Sequence, residues 1–136
     1  MRVAEWLISS SPLEAMQCEI VDPMLKRTVQ VSGKGWFAGP WDSSLGVAVG
    51  YADVGVHEPH SHESMHEIYL VARGTSVAEV NGVVVDLSMG DVLIVEPGEV
   101  HTFTSSSTDY FHFVLQSPFV ADDKRLAQMP GFQPIE

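Results

Sequence analysis

Cysteine is nearly absent from this chain. Cys18 stands alone among 136 residues, so no internal disulfide can staple the fold. Positive charge is scarce too: Lys and Arg number 7 against 18 Asp and Glu, a formal net charge of −11. A chain of that sign repels nucleic acid and anionic membranes, and neither is expected as a partner. Long apolar runs are missing as well. Nothing approaches the ~20 apolar residues of a membrane span, and the opening MRVAEWLISSSPLEAM lacks the unbroken apolar core of a signal peptide. These absences lead to the expectation of a cytoplasmic protein. Apolar residues make up 45% of the chain and charged ones 18%, the composition of a folded body, and the length suits one domain spanning 1–136.

Helical periodicity is also thin. SPLEAM and DDKRLAQM are the two short stretches that read as helix; elsewhere the apolar pattern has a period of two. LGVAVGYA sets Leu45, Val47, Val49 and Tyr51 on one face and Gly46, Ala48, Gly50 and Ala52 on the other. EIYLVARG and TSVAEVNGVVVDL follow, the second broken at Asn81-Gly82, the dipeptide suited to the two positive-φ positions of a type I′ hairpin. VLIV, VHTFT and DYFHFVLQ continue the series between SMGD, EPGE and SSST turns. Short strands at steady spacing predict an all-β sandwich or barrel that closes to hide its edges, with a core at about 29–117 and arms at 1–28 and 118–136.

Histidine is what the chain has in one place. HEPHSHESMHEIYLVARG, residues 57–74, holds four of the six. On a strand, His60 and His62 point to one face with Ser61 on the other, close enough for two imidazoles to meet one ion. Glu67 opens the next strand and can add a carboxylate, and His101 after the EPGE turn can add a third imidazole. A divalent transition ion held by these four keeps positions open for water, substrate or dioxygen.

These residues carry a resemblance to the cupins, small double-stranded β-helix barrels of jelly-roll type. The first cupin motif, G-x(5)-H-x-H-x(3,4)-E-x(6)-G, is similar to the run from Gly55 through His60, His62 and Glu67 to Gly74, with Gly55 one residue closer to His60 than usual. The second, G-x(5)-P-x-G-x(2)-H-x(3)-N, resembles the run from Gly90 through Gly98 and His101. Glu96 stands there in place of proline, with Pro97 adjacent, and Ser105 in place of asparagine. The resemblance implies a cupin domain binding one divalent metal ion (Fe, Mn, Ni or Zn) through His60, His62, Glu67 and His101.

Around that site, Tyr69 and Phe103 lie two residues beyond a ligand, on its face, and with His112 are the candidate pocket residues. His112 shares a face with Tyr110, Val114 and Gln116 against Phe111, Phe113 and Leu115. The apolar set is expected inside, which turns His112 outward; the reverse would give the pocket an imidazole. His66 should face outward, and His57 should lie in a solvated loop. No cation falls within the ligand motifs, and Arg73, on Glu67's face, is placed at the far end of its strand, about 20 Å off. A small non-phosphorylated ligand is therefore expected unless Lys26, Arg27 or Lys34 folds over the mouth. Two functions follow: a metal-dependent oxygenase or isomerase/lyase, or a non-catalytic small-molecule-binding module. The smooth Gly46–Ala52 face and the arm residues Val3, Trp6, Leu7 and Ile8 point to a homodimer.

Overall fold

The computed structural model describes residues 26–28 and 33–129. The chain divides into two units, Met1–Gln30 and Val31–Glu136. In the first, the described residues 26–28 carry no regular secondary structure; the SPLEAM stretch and the apolar arm residues lie outside the described residues. The second is all strand, and no described residue is helical.

Its ten strands are β1 (Lys34–Ala38), β2 (Ala48–Ala52), β3 (His60–His62), β4 (His66–Arg73), β5 (Thr75–Val80), β6 (Val83–Ser88), β7 (Val92–Val95), β8 (His101–Ser106), β9 (Phe111–Ser117) and β10 (Lys124–Leu126). They form two antiparallel five-stranded sheets, ordered β1-β2-β9-β4-β7 and β10-β3-β8-β5-β6. From β2 onward the chain passes repeatedly between sheets, the jelly-roll habit. Of the expected alternatives, sandwich or barrel, the two sheets make a jelly-roll sandwich, since among the described residues no ladder joins them; of the four edge strands, β7 and β10 are only 4 and 3 residues long, which limits the unpaired backbone they offer.

The turns follow from the residues that occupy them. Asn81 and Gly82 have φ of 47° and 80°, the pair of positive values a type I′ hairpin needs between β5 and β6. Gly74, where β4 leaves one sheet for the other, has φ of 73°, and a Cβ there would lie 2.5 Å from Ser107 Oγ. Only glycine fits such a corner. The EPGE turn closes through Glu99 N donating to Glu96 O at 3.1 Å, and Gly98 N donates to His62 O at 2.7 Å, tying the turn to β3.

Two strand assignments differ from expectation. DDKRLAQM is not helix: Lys124–Leu126 pairs with β3 as an edge strand, held by the Asp123 carboxylate, which accepts from Ser64 N and Met65 N, each at 2.9 Å. Pairing with β3 takes up backbone groups of Lys124–Leu126 that a helix would bond internally. Arg73 does not share Glu67's face, because the register slips between Val71 and Arg73. That bulge turns the guanidinium outward over the Phe111 ring at 5.3 Å.

The face of the first sheet turned toward the second alternates small and polar residues. Ala48 pairs with Gln116, Gly50 with Val114 and Ala52 with His112; in the next ladder Gln116 pairs with Glu67 and Val114 with Tyr69. The smooth Ala48–Ala52 face, expected to meet a partner, is thus inside: Ala48 is 0% exposed and Ala52 4%. At one end of the interior Tyr69, Val71, Ala78, Leu87, Val95, Phe103 and Tyr110 form the apolar core. At the other end the polar residues gather.

Candidate metal centre

Cross-strand register brings the four expected ligands together. His60 lies directly opposite His101 across the β3–β8 ladder; His62 follows on the same face, and Glu67 approaches from β4 of the opposing sheet. All four are buried, and their ligand atoms lie within 4.8 Å of one another. Glu67 Oε1 is the meeting point, 2.9 Å from His62 Nε2, 2.9 Å from His101 Nε2 and 3.7 Å from His60 Nε2. Ligand atoms on bonds of ~2.1 Å to a common ion lie about 3.0–3.4 Å apart when adjacent, and these separations bracket that range.

The hydrogen bonds behind the ligands fix which nitrogen faces inward. His60 Nδ1 lies 2.7 Å from Glu58 O, and His101 Nδ1 3.1 Å from Glu99 O. A carbonyl only accepts, so each Nδ1 carries the proton and each Nε2 presents a lone pair to the centre. His62 has no such support: both of its ring nitrogens are buried without a hydrogen-bond partner. Its Nε2 approaches Glu67 Oε1 closely but is not aligned as a donor. A buried imidazole with two unspent nitrogens is costly unless something else engages it, and a bound cation meets that need. The residues fit a divalent transition ion.

The carboxylate is correspondingly tuned. Burial pushes the Glu67 pKa up, but the imidazoles of His101, His60 and His62 outweigh it and hold the group well below the usual carboxylate range. Gln116 Nε2 donates to its Oε2 at 3.1 Å, and the Tyr69 hydroxyl donates to Oε1 at 3.0 Å. Burial and the facing Glu67 charge hold that hydroxyl far above its ordinary pKa, so Tyr69 remains a neutral donor.

A cavity of about 450 Å³ opens onto this cluster, within the range of small-molecule pockets. Tyr69 lines it, as expected. His112 lines it too, 2% exposed, which corrects the outward placement favoured above: the polar set of β9 is the inner one. Burial lowers its pKa to about 4 against a smaller opposing effect of Glu67, and the Tyr110 hydroxyl lies 2.7 Å from its Nδ1. Phe103 is not a wall of this cavity. It lies in the apolar core behind Tyr69 and His112, with ring centroids 5.0 and 5.3 Å away. A Cβ on Gly55 would come within 2.1 Å of the Phe103 ring, so the first motif's glycine serves that packing. His57 is half-buried rather than solvated, its Nδ1 2.9 Å from Phe103 O, while His66 is exposed.

Among the wall residues not identified from the motifs are Gln116, Trp36, Lys34 and Lys124. Gln116 could have been read from its alternation with His112. Lys34 meets the stated condition for a cation at the mouth. Lys124 required knowing that β10 pairs with β3.

The fold and the centre define a class: a two-sheet jelly roll with a three-histidine, one-glutamate cluster that fits a metal site. A profile of the Cupin domain family matches residues 49–116, half of the chain, and the chain belongs to the cupin family. Among solved structures it resembles Streptomyces Pac13, a nucleoside dehydratase, at 19% identity, covering 76% of this chain and 90% of that one with a TM-score of 0.59. KdgF from Halomonas sp. matches at 22% identity, covering 71% and 89%, TM-score 0.55. A structure from a study of the DMSP lyases RdDddP and RnDddQII matches at 28% identity, covering 70% of this chain and 52% of that one, TM-score 0.54. Comparison with curated proteins finds no match.

Proposed function

We propose that this chain is a metal-dependent cupin enzyme acting on a small organic molecule by lyase-type elimination. The observation that carries the reading is the convergence of the Nε2 atoms of His60, His62 and His101 on Glu67 Oε1, below a cavity whose walls hold Tyr69 and His112. A divalent ion held by His60, His62, Glu67 and His101 would supply Lewis acidity to polarise a substrate oxygen and acidify the neighbouring C–H. Glu67 is held ionised and Tyr69 protonated. His112 is neutral at pH 7, oriented by Tyr110 to offer its remaining nitrogen to substrate. Likeness to the DMSP lyase structure favours elimination over oxygen insertion.

Anaerobic turnover tests this. Metal-loaded protein is incubated with small molecules carrying a leaving group β to an acidic C–H, and olefinic protons are followed by NMR. Turnover without dioxygen is expected. Turnover only with dioxygen, matched by oxygen uptake, would replace the reading with an oxygenase, and saturable binding without turnover would replace it with a binding module.

The proposed protein partner is a second copy. The outer face of the first sheet presents Ile68, Leu70, Ile94, Phe111, Phe113 and Leu115, and Glu67, which points inward, is the sole acid in its five strands. On a chain of net charge −11, that face is where an equally acidic copy can approach without repulsion. Light scattering should give twice 14.9 kDa, falling to one chain in a Leu70→Glu/Ile94→Glu variant. A single-chain mass for the unmodified protein would end the dimer.

A further inference from the structure

We infer that the pocket selects a singly charged organic anion, such as a carboxylate, through Lys34 and Lys124 at its mouth; this deepens the proposed function and rests on the cavity above the ligand cluster being the substrate site. The chain has few cations, 7 against 18 acids, yet two of them stand on this cavity's wall. Their placement follows from the ladders. Lys34 pairs with Ala52, and Trp36, two residues on, pairs with Gly50. Since Ala52 and Gly50 face inward, Lys34 and Trp36 do too. Gly50 makes room for the indole, because a Cβ there would lie 2.9 Å from the ring. From the opposite sheet, Lys124 pairs directly with His62, so an inward His62 places Lys124 on the cavity side beside a ligand.

The charge at the mouth favours an anion docked there. Lys124 Nζ is 2.7 Å from Glu58 Oε1, and Lys34 acts electrostatically on that same carboxylate. Two lysines and one glutamate leave +1 − 1 + 1 = +1 at the mouth. One net positive charge at the mouth balances a carboxylate docked there, apart from the ligand cluster, where Glu67 contributes −1 and a bound divalent ion would contribute +2. Neighbouring Arg125 does not add to it, being paired with Glu63 at 3.0 Å. The aliphatic stem of Lys34 and the face of Trp36, 49% exposed, offer apolar contact for the carbon body.

The test uses full-length zinc-loaded protein titrated with propionate, with propionamide as its neutral isostere, and with methyl phosphate. Binding is read from the Trp36 indole N–H NMR resonance, identified by its loss in Trp36→Phe. Propionate is expected to shift this resonance saturably, at least 5-fold more tightly than propionamide and no more weakly than methyl phosphate. Lys34→Gln and Lys124→Gln should each lower that preference at least 3-fold, and the double variant should lower it further, to what ligation of the carboxylate by zinc alone leaves. Equal affinity for acid and amide, no shift with either, tighter binding of methyl phosphate, or a preference undiminished in the double variant would each overturn the inference. Metal content measured on the same samples separates the two readings. Full metal with no lysine effect sinks this inference alone, whereas a chain that takes up no zinc sinks the metal-dependent function, and the lysine-dependent preference is then read on the metal-free protein.

Discussion

On the sheet formed by β1, β2, β9, β4 and β7, the face turned toward the second sheet carries Glu67, His112 and Gln116 among alanines and glycine, while the face turned away carries Phe111, Phe113 and Leu115. The buried side is the more polar of the two. Within β9, His112 is 2% and Gln116 8% exposed, whereas Phe111, Phe113 and Leu115 are only half-buried. Apolar residues usually go inside because removing them from water stabilises by about 25 cal/mol per Å². Here the His60, His62, Glu67 and His101 cluster occupies one end of the interior and imposes the inverse. Its polar groups are tolerated because most are spent on one another: Gln116 on Glu67, Tyr69 on Glu67, His112 on Tyr110.

The largest test of this contrast uses the acid limb of stability. His112 has a folded pKa near 4 against an ordinary 6.5. The native state therefore favours the neutral ring. Its contribution is fully present above pH 6.5 and is lost as pH falls toward 4, because the unfolded chain takes up the proton first. The 2.5-unit gap amounts to about 3 kcal/mol. His112→Gln, which does not titrate, should remove that much of the decline in urea-unfolding free energy between pH 6.5 and 4. Were His112 on the outer face, the two curves would run parallel.

A smaller effect sharpens the comparison at the apolar end. Val95, 2% exposed, belongs to the core, and Val84 on β6 is 65% exposed. Val95→Ala should cost roughly 2 kcal/mol through lost burial and a partly collapsed cavity, and Val84→Ala less than about 0.5 kcal/mol. Similar costs would show that the core is not where it has been placed. A further test, read on metal affinity rather than on folding, is Tyr69→Phe. It removes one donor from Glu67 while Gln116 and the imidazoles stay, and should weaken zinc affinity by about 10-fold, or ~1.4 kcal/mol. No change would mean that the Tyr69 hydroxyl does not support the carboxylate.

Much of this was readable from residues alone, and the failures have physical causes. The Asn81-Gly82 hairpin was legible because its chemistry is local: two positive-φ positions require those residues. The four ligands were legible because spacing on strands fixes their faces. Which face of β9 is inner was not legible, since a period of two defines two faces without saying which is buried. That depended on Glu67 across the ladder needing Gln116 as a partner. Lys124 was hidden for a similar reason: its role comes from pairing with His62, 62 positions earlier. Arg73 was misplaced because a single bulge inverts every face beyond it, and nothing local in VARG announces one.

The account stands or falls on whether His60, His62, Glu67 and His101 hold one ion. Equilibrium dialysis against zinc, with metal counted by elemental analysis, measures this directly. The unmodified chain should bind close to one zinc per chain, while His60→Ala and His101→Ala, still showing strand-rich circular dichroism, should each retain less than about a tenth of that. Undiminished stoichiometric zinc in both variants would contradict the assignment of the centre.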